Sequence, residues 1–244
     1  MSNDTPDLTG KTALVTGASR GIGRAMALAL AKAGAHVLAL ARTSGGLEEL
    51  DDEIRAVGGS ASLIPMDLVD GDGIEQLAGA LAGRIDKLDI LLANAASLGE
   101  LAPLTDIDPR VWRHTLDLNL TVNWRLLRAL NPLLRKSDDA RVIFLTSSVG
   151  GKVARAYWGA YAVSKAAMEM LGATYAEETR TTNIRVAIID PGAMRTKMRA
   201  QAMPGEDPQE LPPPSDLAPL LFHALTEKSD GLARYEFRAW RERA

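Results

Sequence analysis

The sequence contains no cysteine, only three histidines and three phenylalanines, and no dominant sign of charge. Without cysteine there is neither a disulfide framework nor a thiolate metal site, which fits a reducing compartment. His36, His114 and His223 stand far apart without metal-ligand spacing, so no metal is assigned and structural or surface roles are expected. No run reaches the ~18 uninterrupted apolar residues of a membrane helix. The opening residues, MSNDTPDLTGK, lack a basic start followed by an apolar segment, so no signal peptide is expected. A net charge of -3 argues against a nucleic-acid-binding surface. The expectation is a soluble, cytoplasmic protein whose partner is a small molecule.

What is present is an ordinary globular composition over 244 residues, 46% hydrophobic and 24% charged. Short apolar runs alternate with longer helical patterns. Strands are expected at 12–17, 36–41, 62–67, 88–95, 141–148 and 184–192, and helices at 23–34, 46–57, 72–85, 109–136 and 161–180. This alternation predicts an α/β chain in which parallel strands are joined by helical crossovers on both faces. The strand candidates are apolar throughout, as strands covered on both faces must be. The proline-rich stretch MPGEDPQELPPPSD (203–216) excludes long regular structure. Helical signals resume directly after it. One domain spanning 1–244, with a mobile substrate flap near 194–214, is the expected organisation.

The helical pattern at 109–136 carries apolar residues around most of its circumference, among them Trp112, Leu116, Leu120, Trp124 and Leu127. A helix lying on a sheet needs only one apolar stripe. The surplus predicts a homo-oligomer, dimer or tetramer, built partly on this helix.

VTGASRGIG (15–23) runs from the first strand into the first helix, with glycines at 17, 21 and 23. Glycines there let the backbone turn sharply and bring amides close to a pyrophosphate at a helix N-terminus. Any tight strand–helix turn uses the same residues; its place in the first βα turn is what favours a dinucleotide. After the second strand, Ala41, Arg42, Thr43 and Ser44 stand where an acidic residue would hold ribose hydroxyls. Arg42, with Arg20 in the glycine turn, suits a 2′-phosphate, since each guanidinium offers a planar fork of donors. NADP is therefore preferred over NAD, unless both arginines are merely solvated charges.

Tyr161 and Lys165 lie four residues apart, on one face of a helix. Y-x-x-x-K usually marks nothing more than a solvated face. A free phenol has a pKa of about 10, and lowering it by about three units takes roughly 4 kcal/mol. A neighbouring ammonium beside an oxidised nicotinamide is the right sort of perturbation. Ser148, thirteen positions before Tyr161, ends a strand at the sheet edge where open α/β folds place their sites. Asn119 is a polar residue in the otherwise apolar run LDLNL; such an asparagine is usually a packing or backbone-bonding residue.

Together these features resemble the short-chain dehydrogenase/reductase family over about residues 8–230. The glycine turn, Asp67–Leu68 after strand three, LANAA after strand four, Asn119, Ser148, YAVSK and PGAMRT occur in the family's order and spacing. The resemblance implies a doubly wound Rossmann fold with a mostly parallel seven-stranded sheet. It implies hydride transfer between NADP(H) and a carbonyl/alcohol pair, with Tyr161 as general acid/base and Ser148 polarising the substrate oxygen. Lys165 would lower the tyrosine pKa and bind the nicotinamide ribose, and Asn119 would hold a water linking Lys165 to solvent. Cofactor contacts are implied at Gly17, Ser19, Arg20, Gly21, Ile22, Gly23, Arg42, Thr43, Asp67, Leu68, Asn94, Ala95, Tyr161, Lys165, Pro191, Gly192 and Thr196. The chain departs from the family at Ala93 and Ala96, and in its ending, GLARYEFRAWRERA, where members carry a last strand and a double-glycine turn. Met194, Met198 and Met203 are expected to line an adaptable apolar pocket or to pack the flap. An idle NADP sensor and an oligomeric scaffold that kept only the fold are the rival readings.

Overall fold

Strand-forming and helix-forming runs alternate along the chain because each parallel strand needs a long crossover to return to the same edge of the sheet. A computed structural model describes residues 5–229 and 231–243. In chain order it contains β1 (Thr12–Thr16), α1 (Gly21–Lys32), β2 (His36–Ala41), α2 (Ser44–Ala56), β3 (Ser60–Pro65), α3 (Gly73–Ala82) and β4 (Ile90–Ala93). Then come α4 (Pro109–Leu116), a π-helical turn (Asp117–Thr121), α5 (Val122–Leu134), β5 (Ala140–Leu145) and α6 (Ser148–Gly151), a single broken turn. The chain continues with α7 (Gly159–Thr179), β6 (Ile184–Asp190), α8 (Lys197–Ala202), α9 (Ala218–Thr226), β7 (Leu232–Glu236) and α10 (Phe237–Arg241).

The seven strands form one sheet in the order β3-β2-β1-β4-β5-β6-β7, and every pair is parallel. This is the doubly wound Rossmann arrangement. Strand order reverses between β1 and β4, the switch point at which such sheets open a crevice at the strands' C-terminal ends. Side chains alternate across the sheet: Ala13 and Val15 join α1, α2 and α9 on one face, whereas Leu14 joins α3, α5 and α7 on the other. Two apolar layers therefore clamp the central strands.

Two expectations are corrected here. The ending that looked unlike the family forms a genuine last strand, β7, paired in parallel with β6. Its sequence LARYE mixes polar and apolar residues because it is an edge, as is SASLIP of β3. The helical pattern at 109–136 is likewise three pieces rather than one. Its surplus apolar residues are mostly covered within the chain: Val122, Leu126, Leu127 and Leu130 are buried, and Trp112, Leu116, Leu118 and Leu120 half-buried. Trp124 remains 48% exposed, with the Arg128 guanidinium 5.7 Å above its ring.

The proline-rich stretch holds two 3-10 turns, Pro208–Glu210 and Pro214–Leu217. Each begins on a proline, where the missing N–H costs nothing. Arg199 of α8 grips Glu206 with two bonds of 2.5 and 2.6 Å, and Arg195 N–H donates to the Pro212 carbonyl. No helix among the described residues is long and apolar enough to cross a membrane.

Candidate active site

The β1–α1 turn is shaped by what its glycines must avoid. Gly17 has φ +68°, and a Cβ there would press 2.8 Å from Asn94 Nδ2. A Cβ at Gly23 would collide with the Gly17 carbonyl and with the same amide. The turn is thus closed on itself. No side chain caps the N-terminus of α1, and its first turn has no acidic residue. Those unpaired N–H groups fit a phosphate. Asn94 donates to the Thr16 carbonyl at 2.8 Å, while the Thr16 hydroxyl accepts from the Asn94 and Ala95 amides at 3.0 Å. This fastening joins β4 to β1 across the switch point. Asn94 and Ala95 therefore shape the floor of the crevice.

Around the crevice, Ser19, Arg20 and Ile22 lie in the glycine turn, and Arg42 and Thr43 follow β2, with Arg20, Arg42 and Thr43 exposed. Arg42 sits 3.6 Å from Asp67, and the Asp67 carboxylate also accepts from the Val69 amide. Leu68 is buried in the core beside α3. Pro191 and Gly192 turn away from β6, and Thr196 caps α8 by accepting from Arg199 N at 3.1 Å while its methyl faces Gly21.

Tyr161 and Lys165 are both buried on α7. Burial pushes the Tyr161 phenol up to about 12; the Ser147 hydroxyl pulls the other way, and the Asp190 carboxylate adds to the rise. The Lys165 ammonium is pulled down to about 8 by burial, against the opposing pull of Asp190 and Glu169. Its Nζ donates to the Leu145 carbonyl at 2.7 Å and stands 5.8 Å from the centre of the Tyr161 ring. The expectation that Lys165 holds the phenol down is not met in the chain alone. The ammonium is drawn to β5 and lies by the ring rather than on the hydroxyl.

The serine expected to face the phenol is also corrected. Ser147, not Ser148, is the serine whose hydroxyl pulls on the Tyr161 phenol. Ser147 is the last extended residue after β5, and its Oγ accepts from Val149 N at 3.2 Å. Ser148 opens the α6 turn with its side chain exposed; its carbonyl accepts from Lys152 and Val153.

Asn119 is fully buried inside the π-helical turn, a distortion common at functional sites. Its Oδ1 accepts from Ser97 N at 2.8 Å, and its Nδ2 donates to Ser97 O and Ser164 Oγ, both at 2.9 Å. Ser164 in turn donates to the Tyr161 carbonyl at 2.7 Å. The side chain expected to hold a water is therefore spent on fastening α7 to the loop after β4. Its backbone carbonyl accepts from the Asn123 side-chain amide at 2.7 Å.

The family profile described as short chain dehydrogenase matches residues 11–207. The chain belongs to the short-chain dehydrogenase family of oxidoreductases. It is 39% identical over 225 residues to the oxidoreductase YciK of Escherichia coli K12, covering 91% of this chain and 88% of that one. A short chain dehydrogenase of Shigella flexneri, solved with NADP, superposes with a TM-score of 0.91 at 36% identity, over 96% of this chain and 100% of that one. Another, from Escherichia coli CFT073 solved with NADPH, gives 0.89 at 37% identity over 96% and 99%.

Around Tyr161, this short-chain dehydrogenase has a small apolar cluster, separate from the two core layers. It comprises Leu98, Val149, Trp158, Tyr161 and Ala202, with Met198 and Met203 packed against it. Trp158 meets Tyr161 edge-on at 5.7 Å, and the Arg155 guanidinium lies 5.3 Å from the Trp158 ring centre. Met198 and Met203 thus reach the site. Met194 instead is buried in the core beside α9. A further cleft of about 470 Å³, lined by residues including Asp108, Arg110 and His114, shares only Ser97 with this constellation. His36 is bonded to Ser60 and Ser62, and His223 meets Tyr235 edge-on at 5.4 Å, both away from Tyr161 and Lys165.

Sequence reasoning missed Ser147, Trp158 and Asp190. An adjacent Ser-Ser pair gives no internal clue to which hydroxyl points inward. Trp158 could have been flagged as a large aromatic three residues before the tyrosine. Asp190 was hidden in a run read only as strand.

Proposed function

We propose that the chain is an NADP(H)-dependent carbonyl reductase acting on the CH–OH/C=O couple, with Tyr161 as the proton donor. The observation that carries this reading is one buried cluster at the C-terminal edge of β5. It joins a phenol, a hydroxyl that pulls on it and an ammonium one helical turn on. A bound NADPH would supply the hydride. Ser147 would hydrogen-bond the substrate oxygen and polarise it, and Tyr161 would deliver the proton to that oxygen. A phenol pushed up to about 12 is protonated throughout the neutral range, so it holds the proton that reduction would consume. Lys165, mostly charged below about 8, would replenish the proton through the pair. Asn119 would position α7 through Ser164 and offer its carbonyl to a water. Substrate would enter past α8 when the flap opens, and the Trp158–Met198–Met203 wall favours an apolar group beside the carbonyl. The test is NADPH oxidation across a panel of ketones and aldehydes, run beside Tyr161→Phe.

The Arg20–Arg42 pair supports NADPH over NADH, as do the relatives solved with NADP and NADPH. A charge-assisted hydrogen bond contributes about 1.5–3 kcal/mol. Arg42→Ala is therefore expected to raise the KM for NADPH roughly tenfold to a hundredfold and leave that for NADH nearly unchanged. Equal losses with both cofactors would show that Arg42 contacts no 2′-phosphate.

A homo-oligomer is the quaternary state this reading favours. Trp124 on α5 and Val163 and Met170 on α7 remain exposed at 48%, 45% and 67%. Sedimentation at micromolar concentration is expected to give a dimer or tetramer, and Trp124→Glu to shift it toward monomer. A monodisperse wild-type monomer would exclude the assembly.

A further inference from the structure

Lys165 is backed by carboxylates that none of the recognised motifs includes. Tyr161, Lys165 and Glu169 follow one another at four-residue steps on the same face of α7. The Lys165 ammonium bonds the Leu145 carbonyl at the end of β5. The next residue, Thr146, donates its hydroxyl to Glu169 Oε1 at 2.7 Å, and Arg234 of β7 donates to Glu169 Oε2 at 2.6 Å. Asp190 ends β6 beside this point: the Thr146 amide bonds the Ile189 carbonyl, and Asp190 lies in register with Glu236 of β7. Its carboxylate is buried and accepts from Gly192 N at 2.9 Å. Lys152, from the loop after β5, pairs with Glu236 at the rim.

Charged and titratable groups cluster at this end of the sheet, beside the neutral Leu145 carbonyl that Lys165 bonds. The lysine's own helix brings Tyr161 and Glu169, β6 brings Asp190, β7 brings Arg234 and Glu236, and the loop after β5 brings Lys152. The two outer cations are half exposed, at 51% and 58%, so solvent screens them more than the enclosed carboxylates. An ammonium taken wholly out of water is costly unless opposite charge stands near. Asp190 is the carboxylate that most strongly opposes the loss of the Lys165 charge, with Glu169 next. Glu169 divides its charge between Thr146 and Arg234, whereas Asp190 accepts from the Gly192 amide.

We propose that Asp190 and Glu169 are positioning residues for proton transfer, an acidic backing that keeps the buried Lys165 ammonium charged and lets the Tyr161–Lys165 pair hold its proton to higher pH. The inference rests on the reading of Tyr161 as proton donor. Its sign is unambiguous. A negative charge favours the protonated form of both groups, and Asp190 raises phenol and ammonium alike. Removing it lowers both, so reduction should fail at a lower pH.

The ammonium can be titrated directly in cofactor-free protein by NMR of ¹³Cε-labelled lysine, with the Lys165 resonance identified by its loss in Lys165→Met. The wild-type midpoint is expected near about 8. It should fall by about one pH unit in Asp190→Asn and by less in Glu169→Gln, while Asp190→Glu, which keeps the charge, restores it. The alkaline limb of kcat for NADPH-dependent reduction should move down in step. An unmoved midpoint in folded Asp190→Asn overturns the proposal. Should that variant not fold, an unmoved midpoint in Glu169→Gln does so. If Tyr161→Phe were to retain activity, the donor assignment would fall, and the NMR midpoints would still decide whether the backing exists.

Discussion

Replacing Tyr161 with phenylalanine is expected to lower kcat for carbonyl reduction by about 10²–10⁴-fold, the range a positioned general acid contributes. The substitution keeps the ring, and with it the edge-on contact to Trp158 and the packing against Leu98 and Val149. What it removes is the hydroxyl on which Ser147 acts, the only phenol in the cluster. NADPH affinity should weaken by no more than about tenfold, since at most one neutral hydrogen bond of about 0.5–1.5 kcal/mol is lost. The effect should therefore appear in kcat, with titrated NADPH binding largely intact, which also separates a reductase from a scaffold that binds no nucleotide. The pH dependence follows the same logic. Below about 8 the Lys165 ammonium is charged and can return a proton; above it that supply fails, while the phenol itself, near 12, remains protonated. Reduction by the wild type should thus decline through the alkaline range of the lysine. A Tyr161→Phe enzyme that keeps most of its rate on any carbonyl would remove the phenol from the mechanism.

The central frame of this fold was legible because central parallel strands leave no room for polar residues: TALVT, HVLALA and ARVIFL announce themselves, and their observed ends lie within three residues of the expected ones. The edges obey a weaker rule. LARYE of β7 pairs with a strand on one edge only, and its Arg, Tyr and Glu read as loop. The same limit applies to the break at Asp117–Thr121. Nothing in DLNLT, which has neither proline nor glycine, signals a π-helical turn; it is imposed by Asn119 reaching sideways to Ser97 and Ser164. In the site, glycine spacing was informative because Gly17 and Gly23 face backbone and amide at distances no side chain tolerates. Helical spacing put Tyr161 and Lys165 on one face, yet could not say that the ammonium would turn to the Leu145 carbonyl. Long-range polar contacts are set by tertiary packing, and a sequence pattern does not encode them.

The adjacent serines give the sharpest remaining test. Ser147→Ala is expected to reduce kcat/KM by about 10²–10³-fold, as loss of one preorganised donor to a reacting oxygen does. Ser148→Ala should change it by no more than about twofold, since substitutions at exposed positions without partners stay within about 0.5 kcal/mol. The distinction rests on where the extended chain ends. Ser147 still has strand-like angles, φ −155° and ψ 148°, so its side chain projects from the sheet edge toward α7. At Ser148 the chain begins to curl, and Gly150 follows with φ +100°, carrying the second hydroxyl out to solvent. The loop then returns through Tyr157, whose φ of +72° is the only positive value at a non-glycine position among the described residues. A residue held there is strained, and it sits directly before Trp158 on the way to Tyr161. Counting thirteen positions back from the tyrosine cannot see this, because the count is blind to how the loop closes. Were Ser148→Ala the damaging change and Ser147→Ala the mild one, the first turn after β5 would have to rewind when substrate binds, and the geometry argued for the donor would need to be rebuilt around it.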